Sequence, residues 1–268
     1  MNMHFSFLFI FVVMPTLAVI IFLISLAQDR KREEKLFRTG IIYLKNFRSL
    51  LTHIQQHRGL TNSYICGYKN YEFDIKQLEE LVRNEIKNIE SIDEWIKNNS
   101  KWQSIIDHWS RLNLNYKNSG AEYNLKQHNI LIASILYLID DLAYSHQLGK
   151  LGLVDATDTD WRYLLSIAEY IGQARALGMG AVSRGECSSI MRTQLNHLCL
   201  KIEANINRSW PEKTLRDFRA LLTTIEEKVI TEKPGITPTD YFKLATGCIE
   251  DVLLEFDRQV ENIQFHRK

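Results

Sequence analysis

Apolar residues recur at helical spacing along most of the chain, with charged residues between them. From Leu44 the series Leu44, Phe47, Leu51, Ile54 advances by three and four, the seam of an amphipathic helix. Continuing it reaches Arg58, Thr61 and Ile65, so a guanidinium occupies a core-facing position. Gly59 follows in mid-pattern, where glycine costs a helix about 0.5–1 kcal/mol relative to alanine. A second seam, Trp161, Leu164, Ala168 and Ile171, leads to Arg175 and then to Gly178 and Val182. Ile54 to Leu60 and Ile171 to Leu177 share the pattern I-x-Q-x-R-x-L. Two seam arginines in one local pattern suggest a duplicated unit, or two halves facing one site.

The remaining segments carry the same period. Helices are expected from Gln28 to about Ile65, Asp74 to Lys97, Lys101 to Tyr116 and Glu122 to Leu148. Gly67 to Asn70, Asn98 to Ser100 and Asn118 to Gly120 break them. Gly149 to Asp160 is expected to connect two halves. Further helices are expected over Trp161–Ser183, with Arg184-Gly185 as C-cap, then Glu186–Ser209 and Trp210 to about Thr231. Thr237-Pro238-Thr239-Asp240 marks the start of the last, with Thr237 as N-cap, Pro238 at N1 and an acidic residue at N3. It runs to about Ile263. The expected architecture is all-α, with two four-helix bundles in one domain spanning 44–263, in halves of about 28–149 and 160–263.

Phe5 to Ala27 carries no charge and has the length to cross a ~30 Å hydrocarbon core as a helix. Its rival reading, a cleaved signal peptide ending at Ser25-Leu26-Ala27, lacks a basic n-region. The expectation is an uncleaved, single-pass anchor over 5–27 in a bacterial inner membrane, followed by a juxtamembrane helix over 28–43. Arg30, Lys31, Arg32, Lys35 and Arg38 follow it directly, which places the larger part in the cytoplasm by the positive-inside rule, with the periplasm as the alternative.

Composition narrows the function classes. The chain of 268 residues has a net charge of +1, which offers no electrostatic footprint for nucleic acid. Twelve Gly and four Pro favour long helices over a turn-rich sheet protein. Cys66, Cys187, Cys199 and Cys248 form no CxxC and no zinc spacing, and are expected as small buried hydrophobes. His53 and His57 share a helix face, but with no HExxH or ExxH motif they are expected as surface or partly satisfied histidines, with no metal. No phosphate loop, nucleophile elbow or dinucleotide fingerprint is present, so neither an enzyme nor a cofactor is expected.

The arginines therefore carry the candidate chemistry. A buried charge requires a partner, and Asp141, Glu169 or Asp251 would supply one in a purely structural role. The functional alternative is an anion, because a planar guanidinium gives two parallel hydrogen bonds to a planar oxyanion. Nitrate is such an anion.

Gln56-His57-Arg58-Gly59-Leu60 resembles the Q-x-R-G motif of the bacterial nitrate- and nitrite-sensing (NIT) domain. Glu169 to Gly178 is similar to that family's second motif, E-x-x-G-x-x-R-x-x-G. Tyr241-Phe242, with Ala245-Thr246 and Ile249, resembles the Y/W-F-x-x-x-T pattern of its closing helix. The resemblance covers roughly Leu44 to Val260. It implies two stacked four-helix bundles that bind nitrate or nitrite through arginines, here Arg58 and Arg175, with Gly59 beside them and Arg184 as a third. Where another arginine is hoped for on the last helix, this chain has Lys243. Family members carry an output module. This chain ends at Lys268 shortly after the last helix, so the expectation is signalling through an effector protein in trans or through a homodimer. The alternative is a tethered helical scaffold whose arginines are structural.

Overall fold

The computed structural model describes residues 14–148 and 161–265. Among these every regular element is helical. The expected connector over 149–160 lies outside the described residues.

Helix α1, Met14–Ile65, is the axis of the fold, about 78 Å long at 1.5 Å per residue. It is exposed from Met14 to Lys35, and its burial begins around Phe37. The seam read from the sequence is the buried face, with Leu44, Phe47, Leu51 and Ile54 all in the core. Gly67 ends the helix at a positive φ of 113°, where Gly67 N–H donates to Tyr64 O and Tyr68 N–H to Ser63 O.

Among the described residues no helix is long and apolar enough to cross a membrane. This overturns the expected anchor over 5–27, the single-pass inner-membrane placement and the sidedness that rested on it. The described part of that run is Met14 to Ala27, exposed throughout. Asp29 and Arg30 then interrupt it. The rest of the run, up to residue 13, lies outside the described residues.

Helix α2 is Glu72–Glu90, and a short helix α3, Glu94–Lys97, follows it. A single helix was expected here. Asp93 divides it, because its carboxylate accepts from Trp95 N–H at 2.8 Å and from Tyr43 Oη at 2.6 Å. A side chain that caps a new helix start competes with continuation of the old one. Helix α4, Ser100–Asn115, is capped by Asn99, and α5 spans Ala121–Ser145. Helices α2 and α5 pack on α1, and α4 packs on α5.

Helix α6, Trp161–Arg184, has its seam buried from Leu164 to Val182. It ends as expected at Gly185, with φ of 70°, and Glu186 N–H reaches back to Ala181 O. Helix α7 is Ser189–Ala204, capped by Ser188. Helix α8, Glu212–Thr224, widens into a π turn over Ile225–Val229. Pro211 stands at its N-cap rather than inside its first turn. Helix α9, Pro238–Phe265, begins with Thr237 Oγ1 accepting from Asp240 N–H at 3.1 Å, the predicted cap. Helix α6 packs on α1, α7 and α9, and α8 on α9. The two arginine-bearing helices therefore meet face to face.

That meeting depends on small residues. A Cβ at Gly172 would lie 2.7 Å from Arg58 Nη2, and one at Gly180 would lie 2.5 Å from Asn62 Nδ2. Only a residue without a side chain allows Arg58 and Asn62 to lie across α6 at this distance. Asn62 uses the approach to donate to Ala176 O at 2.7 Å.

Candidate functional site

Arg58 is fully buried on α1, and its partner is Glu169 on α6. The pair is bidentate: Nη1 donates to Oε1 at 2.6 Å and Nη2 to Oε2 at 3.2 Å. Nη1 also donates to Asn129 Oδ1 on α5 at 2.7 Å. Two amides complete the carboxylate's shell, Gln55 Nε2 on Oε2 and Gln173 Nε2 on Oε1, each at 2.8 Å. Glu169 thus accepts four hydrogen bonds and offsets one positive charge. Of the three carboxylates named from the sequence as partners, Glu169 is the one used by Arg58. Asp141 pairs with Lys101 and Asp251 with Lys213.

Arg175, 1% exposed on α6, has a different environment. Its Nη1 donates to Thr246 Oγ1 on α9 at 2.7 Å, and its guanidinium carbon lies 4.8 Å from the centre of the Phe242 ring. Among the described residues no carboxylate forms an ion pair with it. Its Nε, like that of Arg58, is buried and has no hydrogen-bond partner. Burial, and then repulsion from Arg58, lowers its pKa to about 9, still well above neutrality. Two guanidinium groups beside one carboxylate leave the cluster with one uncompensated positive charge, and that charge sits on Arg175.

Gly59 faces the same point. A Cβ there would stand 3.5 Å from Phe242 Cε2 and 3.7 Å from Arg175 Nε, ordinary contact distances. The structure therefore brings together Arg58, Gly59 and Arg175. Arg184 is not part of this group; it is exposed at the far end of α6, where its charge acts on Cys66. Nine positions separate Arg184 from Arg175, about 13 Å along a helix. Lys243 is exposed on α9.

His57 takes the second of the two expected forms, fully buried and partly satisfied, with Nε2 lacking a hydrogen-bond partner. Its Nδ1 lies 2.9 Å from His128 Nε2, and His128 Nδ1 lies 2.9 Å from Asn124 O. Trp109 and Tyr116 meet the His57 ring edge-on. Burial lowers both imidazole pKa values, that of His128 strongly, and keeps the rings neutral. No cluster of metal-ligating side chains occurs among the described residues. A surface groove of about 620 Å³, lined by Lys101, His108, Arg111, Gln127, Tyr137 and Asp141 among others, includes neither buried arginine.

Asn129, Gln55 and Thr246 enter the site without having been singled out as functional. Thr246 and Phe242 were at least visible in the resemblance of the last helix. Asn129 belongs to a seam-flanking position of α5, and nothing in its local pattern marks it.

Fold and site together define an all-helical protein with a buried, charge-imbalanced arginine cluster between its packed helices. Among solved structures the chain is similar to the NasR transcription antiterminator, with a TM-score of 0.63 and 16% sequence identity over 92% of this chain and 73% of that one. At that identity the likeness is one of fold. No family model matches the chain, and no curated protein matches it.

Proposed function

We propose that this chain is a sensor of a small planar oxyanion, nitrate or nitrite, with Arg175 as the principal ligand. The observation that carries the reading is the environment of Arg175: a fully buried guanidinium held by a hydroxyl and an aromatic ring, with no carboxylate paired directly to it among the described residues. An unpaired buried charge costs several kcal/mol in a folded protein, and a bound anion removes that cost. Arg58 shapes the opposite wall, with its own charge offset by Glu169, and Gly59 keeps the space beside Arg175 free of a side chain. Arg184, remote from this point, acts at most on the approach of the ligand from the end of α6. The NIT-like motifs at Arg58, Arg175 and Thr246 and the fold shared with a transcription antiterminator support the assignment. In this reading two four-helix bundles, about 28–149 and 160–263, meet at the α1–α6 contact. The signal passes to an effector protein or a second copy of the chain, and no chemistry is performed.

Isothermal titration of the chain with nitrate, nitrite and chloride tests this. Saturable binding of nitrate or nitrite that is lost in Arg175→Met is expected. Absence of binding at millimolar concentration refutes the assignment. The Arg58–Glu169 pair favours a second reading, a helical scaffold with structural arginines, which would then stand.

A further inference from the structure

We propose that Glu169 is the specificity-determining residue that fixes the charge of the ligand at one negative unit. The inference rests on the anion-binding reading above and deepens it. The buried cluster holds two guanidinium groups and one carboxylate, so one anionic charge balances it and two overfill it. Of the other ionisable groups nearby, the buried ones are neutral and the charged one is at the surface. His57 and His128 are held neutral by burial. Tyr241 is buried, donates to Ala174 O at 2.8 Å, and its pKa is raised, so it too is neutral. Glu250, a turn beyond Thr246 on α9, is exposed, and its attraction for Arg175 is screened by solvent.

Coulomb energy is linear in the ligand's charge, so a fixed carboxylate near the site opposes a dianion twice as strongly as a monoanion. Glu169 cannot withdraw from this role cheaply, because Arg58, Gln55 and Gln173 hold both of its oxygens. It therefore acts as an internal repulsive element of the kind by which sites reject a wrong partner. A dianion also costs more to strip of water than a monoanion, and a cluster with one net positive charge does not offset that extra cost. Charge is the discriminating variable. Glu169 acts on the ligand through the field and through Arg58, and is a positioning residue in that sense.

The test is a competition titration of the chain with nitrate and with sulfate at matched ionic strength. The wild type is expected to bind nitrate at least about tenfold more tightly than sulfate, and E169Q to shrink that ratio by about tenfold or more. E169D, which keeps the charge, is expected to retain the wild-type preference even if both affinities fall. R58Q/E169Q removes both partners, leaves Arg175 as the single charge, and is expected to restore the preference for nitrate. This double variant also serves if E169Q fails to fold with Arg58 unpaired. Equal affinity of the wild type for nitrate and sulfate overturns the inference, as does an E169Q or R58Q/E169Q preference opposite to that stated. A wild type that binds neither anion overturns the sensor reading itself, an outcome distinct from altered selectivity.

Discussion

Replacing Arg58 and Arg175 in turn by methionine separates the two arginines by stability, without any ligand. Arg58→Met leaves Glu169, whose side chain is 8% exposed, with two amide donors and no direct ion-pair partner. Removing one member of a buried pair costs about 3–5 kcal/mol. For a chain of this size each kcal/mol shifts the melting temperature by about 2–4 °C, so a fall of about 6–20 °C is expected. Arg175→Met loses a charged hydrogen bond to Thr246, about 1.5–3 kcal/mol, and a cation–π contact worth about 2 kcal/mol. Against those losses stands the relief of a buried charge without a partner, itself several kcal/mol. The terms nearly cancel, and a shift smaller than about 4 °C is expected. Differential scanning calorimetry in a weakly binding buffer supplies the measurement. On adding nitrate the wild type should melt higher and Arg175→Met should not respond. A drop in Arg175→Met as large as that in Arg58→Met refutes the reasoning, because Arg175 would then be satisfied by the protein itself.

Two further outcomes follow from the same packing. Burial lowers the pKa values of His53, His57, His108, His128 and His146 below the ordinary value of 6.5. The unfolded chain then binds more protons than the folded one below that pH, so stability is full above about 6.5 and declines as pH falls. Melting temperature measured from pH 7.5 down to 5 should fall progressively, and less steeply in His128→Gln; a flat profile in the wild type contradicts the buried neutral pair. A Cβ at Gly178 would lie 2.5 Å from both Cε1 and Oη of Tyr241, a buried ring whose hydroxyl bonds Ala174 O. Gly178→Ala should therefore cost about 2–3 kcal/mol through overpacking and a lost hydrogen bond, despite alanine's better helix propensity, as read by urea unfolding.

The helical period was enough to place the elements because it depends only on local spacing. Leu44, Phe47, Leu51 and Ile54 are buried as the stepping required, and Gly67 and Gly185 end their helices through positive φ, which a sequence reader infers from glycine alone. Boundaries failed where a side chain competed with the backbone. Asp93 directly follows an apolar series that reaches Ile92, and only Trp95 N–H and Tyr43 Oη, the latter fifty positions distant, reveal why the helix restarts there. The membrane anchor failed for another reason. It was read from the hydropathy of 5–27 alone, whereas no helix among the described residues combines the length and the apolarity that crossing a membrane requires.

The site shows most sharply where local pattern stops informing. Arg58 and Arg175 occur in the same motif and the same kind of seam, and from the chain alone they are equivalent. In the fold they are opposites, because the difference lies in what the facing helix offers. The residue that comes against Arg58 is Gly172, which lets the guanidinium cross α6 and reach Glu169 one turn before it. Arg175 instead meets Gly59 on α1 and Phe242 and Thr246 on α9, none of which carries a charge. A motif read in one dimension records the donor but not the acceptor across the interface. The asymmetry also makes the proposed division, one structural arginine and one ligand-binding arginine, self-consistent. Neutralising Arg58 internally leaves the whole electrostatic demand of the cluster on Arg175. Under the proposed reading, an anion that met this demand would bridge α6 and α9 through Arg175 and Thr246, while the α1–α6 contact stays held by Glu169. Any shift the anion causes must come from binding one arrangement of α6 and α9 more tightly than another. In the proposed reading the α6–α9 contact, rather than the long α1 axis, is thus where ligand occupancy would be converted into a change of shape.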